Sequence, residues 1–252
     1  MNQLINEKID DLLQQLLLQI KDTIPDQFVG MYIGGSLANE CFDQNTSDID
    51  CYVITKDFLS ENSIRKIEQM HNSFYSIVHP YAKKIEISYI PKKHLLNFDP
   101  KNERPYFNEG NFYLARYGSN FIIELHLLRE KGVHIVGPDI KSFIQKISPK
   151  YLRVAIQKNL CEYWEPVLQD REKLSRSDYQ VFAIFTMCRT LYSLETGDIT
   201  SKIEAANWAI SKIDSKWRSL IEQAVTWQPN QKFSQLEATQ QFVQYVINKS
   251  DE

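Results

Sequence analysis

One stretch constrains the fold of this chain more than any other: Phe28 to Thr55, FVGMYIGGSLANECFDQNTSDIDCYVIT. It reads as a strand, a glycine turn, a short helix, a loop and a second strand. Gly34-Gly35-Ser36 closes the first strand, and Asp48-Ile49-Asp50 opens the second, twelve residues after that serine. A strand alternates its side chains between two faces, so Asp48 and Asp50 project from the same one. Two adjacent carboxylates repel, and a cation between them relieves the repulsion. Mg²⁺ suits the position because it takes a few carboxylate oxygens and leaves room for phosphates. The glycine pair lets the backbone approach a ligand closely. Ser36 opens a helix whose unpaired N–H groups suit a phosphate.

Each piece is common alone. Together, strand, Gly-Gly-Ser, a dozen residues, Ser-Asp-x-Asp and an apolar strand resemble the signature of the nucleotidyltransferase superfamily, the DNA polymerase β-like fold. That resemblance calls for a third acid on a neighbouring strand. Glu86 answers it within Lys84-Ile85-Glu86-Ile87-Ser88-Tyr89, where Ile85, Ile87 and Tyr89 take one face and Glu86 the other.

Composition narrows the class. The 252 residues allow one large or two small domains. A net charge of −3 offers no basic excess for nucleic acid and is compatible with a cationic small substrate. Cys41, Cys51, Cys161 and Cys188 form no CxxC pair, which disfavours zinc and disulfides and fits a reducing cytoplasm. The five histidines make no HExxH pattern, and His126 and His134 read as structural or surface residues. No signal peptide is visible, and no run of about 18 apolar residues suggests a membrane span.

Along the chain, residues 3–22 read as an amphipathic helix with Ile5, Ile9, Leu12, Leu13, Leu16 and Ile20 on one face. A second helix is expected over 60–78, capped by Ser60 and striped by Ile64, Ile67, Met70, Phe74, Ile77 and Val78. Residues 91–118 read as a long aromatic loop, equally a substrate pocket or ordinary packing. A helix over 120–130 and a short strand over 133–136 follow. Beyond about residue 148, apolar residues recur at helical spacing, Glu195-Thr196-Gly197 reads as a helix stop, and Ser201-x-x-Glu204 as a capping box. The expected fold is α+β: a nucleotidyltransferase domain with a small mixed sheet over 1–148, then an all-helical bundle of about five helices over 149–252.

Most of the chain also resembles the streptomycin/spectinomycin adenylyltransferases, which move AMP from ATP to an antibiotic hydroxyl. The likeness is carried by GGSLANECFDQNTSDIDCYVIT, KIEIS, HIVGP and MCRTLYSLETGDITSKIEAANWAI. The last segment is the most specific to the family. The resemblance implies that Asp48 and Asp50 hold Mg²⁺ and that Glu86 completes the metal site and acts as general base. It implies that Ser36, Ser47 and Lys202 contact the ATP phosphates. The partners it implies are ATP and a small-molecule acceptor, which the charge balance lets be cationic; with the charge, hydropathy and cysteines above, the expectation is a cytoplasmic monomer with neither nucleic acid nor membrane as partner.

The chain departs from the family near the acceptor. The loop after the catalytic glutamate reads FNEGNFY and lacks the family's tryptophan. A family acid of the ATP site falls opposite Asn120, and one that binds the drug's cationic groups falls opposite Tyr179. Asp178 beside it can substitute as a substrate contact or serve as the acid of a helix N-terminus. A nucleotidyltransferase acting on a protein, an RNA or another metabolite is the alternative reading.

Overall fold

The computed structural model describes residues 3–250, with side chains described from residue 7 onward. They form two compact units that divide between Lys146 and Ile147.

In the first unit, helix α1 (Gln3–Thr23) leads into β1 (Phe28–Ile33), the short α2 (Gly35–Ala38) and β2 (Ile49–Thr55). Helix α3 (Glu61–Tyr75) crosses to β3 (Ile85–Pro91), followed by α4 (Lys92–Leu96), β4 (Glu103–Asn108) and β5 (Asn111–Arg116). Helix α5 (Phe121–Lys131) and β6 (Val133–Val136) complete it. The six strands form one mixed sheet in the order β5-β4-β3-β2-β1-β6. Only β2 and β3 run parallel, as the helical crossover between them requires.

The α1 side of the sheet holds the unit's core. Ile9, Leu12, Leu13, Leu16 and Ile20 are buried, joined by Ile67 and Phe74 of α3 and by Ile49, Cys51, Val53, Ile85, Ile87 and Tyr89 of the strands. The expected stripe of α1 is thus the packing face; the side chain of Ile5 lies outside the described residues. Helix α3 starts at the expected cap, Ser60 accepting from the Ser63 N–H, but ends at Tyr75, so Val78 is fully exposed instead of completing its stripe.

The expected aromatic loop is a hairpin. Glu109 and Gly110 both have positive φ, 50° and 79°, and join β4 to β5 as a two-residue turn. That backbone matches the right-handed twist of the flanking strands. Pro105 obscured the strand in the sequence, and the ladder tolerates it because β4 meets β3 only at Ser88↔Tyr106 and Ile87↔Phe107.

The second unit is helical. Helix α6 (Pro149–Asn159) runs through a π-turn at Leu160–Trp164 into α7 (Glu165–Gln169) and α8 (Arg171–Ser175). The long α9 (Ser177–Thr196), α10 (Lys202–Lys212), α11 (Arg218–Thr226) and α12 (Leu236–Ser250) follow. Helix α9 is the central member: Val181, Ile184, Cys188 and Leu191 are buried, as are Ala183 and Met187 on its other flank. Gly197 ends it in the left-handed conformation, φ 74°. Ser201 and Glu204 form the expected capping box of α10. No helix among the described residues is long and apolar enough to cross a membrane.

Gly110→Ala puts a side chain against the Tyr75 ring in a backbone conformation disfavoured for L-residues. We expect a loss of about 1–2 kcal/mol from the left-handed geometry alone, read from the urea midpoint. An unchanged midpoint would refute the turn as described.

Candidate active site

The parallel ladder between β2 and β3 sets the site. Its register pairs Asp50 directly with Glu86, so two carboxylates stand side by side on adjacent strands. The core-facing neighbours Ile49, Cys51, Ile85 and Ile87 are buried, which fixes the pleat and leaves Asp50 and Glu86 on the opposite face. Asp48, just before β2, is exposed.

Gly35 closes one side of the Asp50 carboxylate. Its φ is +57°, and a Cβ there would run into the Asp50 oxygen. The glycine that the sequence offered for close approach of a ligand is first required by the acid. Gly34 lies under the Tyr52 ring, and its N–H donates to the Asp50 carbonyl at 2.9 Å. Ser36 is the second residue of α2. Ser47 belongs to a tight turn: its hydroxyl accepts from the Asp43 N–H at 3.0 Å, and its carbonyl accepts from Lys84 Nζ at 3.0 Å. Lys84 ties the start of β3 to the turn before Asp48, a role the sequence did not reveal.

Glu86 is half-buried, and its carboxyl is pushed up to about 8 by desolvation first, then by Asp50, Asp48 and Glu124. The Tyr106 hydroxyl on β4 donates to Glu86 Oε1. Behind them lies a buried cation. Arg104 is 4% exposed; it donates to Ser88 Oγ at 2.5 Å, to Glu124 Oε2 at 3.1 Å and to the Arg116 carbonyl at 3.4 Å. Its guanidinium lies 4.7 Å from the Tyr117 ring centroid, 4.9 Å from that of Phe121 and 5.6 Å from that of Tyr106. Asn120, aligned with a family acid, donates to Glu124 Oε1 at 3.0 Å. The carboxylate in this corner is therefore Glu124, four residues further along. Glu124 and Arg104 escaped the sequence reading, and Tyr106 entered it only as one aromatic of the 91–118 stretch. The available signal was a buried-length strand carrying one arginine, with an acid on the following helix.

Asp48, Asp50 and Glu86 offer hard carboxylate oxygens, the donor set Mg²⁺ prefers. Their mutual repulsion is what a bound cation would relieve, so the residues fit such an ion. Among the described residues, no three His, Cys, Asp or Glu side chains converge closely enough to hold one.

The remaining candidates lie in the second unit. Lys202 is the first residue of α10. Asp178 sits in the first turn of α9 and is bound by Arg176 at 2.6 and 3.2 Å, a hydrogen bond that holds its carboxyl below the usual range. That is the geometry of a helix N-terminal acid. Tyr179 and Tyr163 meet hydroxyl to hydroxyl at 2.7 Å, with Lys173 Nζ 4.9 and 5.0 Å from their ring centroids. The position aligned with a family acid is thus ringed by aromatic groups and carries its own cation.

A mixed sheet that presents Asp48 and Asp50 after a Gly-Gly-Ser turn, with Glu86 on the adjoining strand, is the arrangement that the resemblance to nucleotidyltransferases calls for. Residues 142–250 match the family model for the C-terminal domain of aminoglycoside adenylyltransferases. A spectinomycin 9-adenylyltransferase of Staphylococcus aureus is 26% identical over 233 residues, covering 88% of this chain and 86% of the relative. An aminoglycoside (3'') (9) adenylyltransferase of Klebsiella pneumoniae is 27% identical over 140 residues, 54% of this chain and 51% of the relative. The crystal structure of the spectinomycin adenyltransferase AAD(9) from Enterococcus faecialis with ATP and spectinomycin shares the fold. Its TM-score is 0.75 at 18% identity, over 96% of this chain and 99% of that one. The second unit thus matches the C-terminal domain of the aminoglycoside adenylyltransferases, and the chain as a whole is similar to enzymes of that kind.

A carboxyl raised on folding favours the folded state below its unfolded value of 4.5, and that advantage is lost as pH rises through about 8. In EDTA, the melting temperature of the wild type should therefore fall relative to that of Glu86→Gln between pH 5 and 9. Parallel profiles would show that Glu86 is not perturbed.

Proposed function

We propose that the chain transfers AMP from ATP to a hydroxyl of spectinomycin, with streptomycin as the second candidate, in a reaction that depends on Mg²⁺. The observation that carries the reading is the strand register setting Asp50 beside Glu86, next to the glycine that shields Asp50. Spectinomycin comes first because relatives bearing its name align with 88% of this chain, whereas the (3'') (9) relatives align with 54%.

Asp48, Asp50 and Glu86 are the residues that would hold Mg²⁺. When bound, the ion neutralises charge on the phosphates and orients the leaving pyrophosphate. Glu86 accepts the proton of the acceptor hydroxyl, the oxygen attacks the α-phosphorus, and pyrophosphate departs. A neutral carboxyl cannot do this. Glu86, crowded by Asp50 and Asp48, would take its ionised, proton-accepting form once their charge is offset by a bound cation. Ser36 and Ser47, both preceding Asp48 in sequence, are assigned to the phosphates on the family resemblance. Lys202 is assigned to the triphosphate and Asp178 to the acceptor, both on the family resemblance. Positioning of the two substrates supplies much of the remaining rate. Resistance to the drug is the corresponding role, and the cytoplasm the corresponding compartment, since ATP and reduced cysteines are found there.

The first experiment measures pyrophosphate release from ATP and Mg²⁺ across spectinomycin, streptomycin and other aminoglycosides, with Asp48→Asn as control. Release with spectinomycin, absent in the control, supports the reading. No release with any drug, despite Mg²⁺-dependent ATP binding, moves the acceptor to a protein, an RNA or another metabolite. Glu86→Gln should lower kcat by about 10²–10⁴-fold while ATP still binds, as loss of a general base does. Activity within a few-fold of wild type would remove Glu86 from that role. Asp48→Asn with Asp50→Asn should abolish the Mg²⁺ dependence of ATP binding, measured by calorimetry.

A further inference from the structure

Glu86 has two tasks in the proposed reaction, to face a cation and to face the acceptor hydroxyl, and one of its oxygens is already engaged. The Tyr106 hydroxyl donates to Oε1. The phenol is aimed there by a rigid framework. Tyr106 pairs with Ser88, two residues beyond Glu86 on β3, and with Tyr113 on β5. Its ring lies 5.4 Å from that of Tyr113 and 5.6 Å from the Arg104 guanidinium. Arg104 is buried and bound to Ser88 and Glu124, so the strand beneath Tyr106 is anchored on both sides. Meanwhile, among the described residues, no three ligating groups converge on one point.

We propose that Tyr106 is a positioning residue for Glu86: its hydroxyl holds the carboxyl toward β4 and competes with the divalent cation for Oε1. The inference rests on the metal-binding role given to Glu86 above. Cation entry then requires the phenol hydrogen bond to be broken or shared. The hydrogen bond must be given up or shared for the cation to reach Oε1, so its presence is felt in affinity. The free protein would hold the ion weakly. A nucleotide, bringing its own phosphate oxygens, would make up the difference. The residue thereby couples occupancy of the metal position to occupancy by nucleotide, without touching either substrate.

The test is Mn²⁺ binding to the whole chain without nucleotide, followed by electron paramagnetic resonance of the free ion. Tyr106→Phe keeps the ring and removes the hydroxyl; it should bind Mn²⁺ about tenfold more tightly than the wild type, about 1.4 kcal/mol. Tyr113→Phe removes a phenol from the same pair and should leave the affinity unchanged. Adding Asp50→Asn should abolish the gain. A Tyr106→Phe protein with unaltered melting and wild-type or weaker affinity would overturn the positioning role alone. So would an equal gain from Tyr113→Phe. Absence of Mn²⁺ binding from both the wild type and Tyr106→Phe would overturn the metal reading with it.

Discussion

The arrangement of the first unit depends on one ladder, the parallel pairing of β2 with β3. Parallel strands place residues of like number in the pleat at the same level. Here that puts Asp50 against Glu86 while Ile49 and Cys51 face Ile85 and Ile87 on the other side. A slip of one residue would turn the acids into the apolar core beneath α1 and α3. The hydrophobic face therefore fixes the chemistry of the polar one. No side-chain attraction is needed to bring the carboxylates together, and they are held together against their own repulsion.

That repulsion has to be met by something within the fold. Arg104 answers part of it. The guanidinium is buried, which is costly unless its charge and donors are satisfied. Glu124, Ser88 and the Arg116 carbonyl satisfy them, and aromatic faces line the remainder. Arg104 lowers the Glu86 carboxyl slightly, yet burial and the neighbouring acids outweigh it. The balance left over is an excess of negative charge at the mouth of the site. Such an excess attracts a cation, and a cation is what would let phosphates approach.

Much of this was legible in the sequence because it is local. Period-two alternation identified β2 and β3 and put Glu86 on the face away from Ile85, and the caps at Ser60 and Ser201 were written in three-residue patterns. What failed to appear was tertiary. Pro105 made β4 look like a loop, and Glu109-Gly110 lacks the asparagine that usually marks such a turn. Arg104, Glu124 and Tyr106 come from a strand and a helix that only the folded sheet brings to Glu86. Val78 failed for the opposite reason: helical spacing continued past Tyr75, but the helix did not.

The same division separates reaction from selectivity. The acids and Gly35 are fixed by backbone register and by a positive φ. The environment of Tyr179 is made by side chains alone: a π-turn presents Tyr163, α9 presents Tyr179, and Lys173 fills the space between. A cation lodged against those rings disfavours a second cation at that spot. Asp178, already bound to Arg176, does not reverse the sign. If a cationic acceptor is recognised in the helical unit, Lys173 or Arg176 must first be displaced, or the recognising charge must come from another residue. The register that sets the acids and the side chains around Tyr179 are thus independent of one another, so a change at the second leaves the first in place.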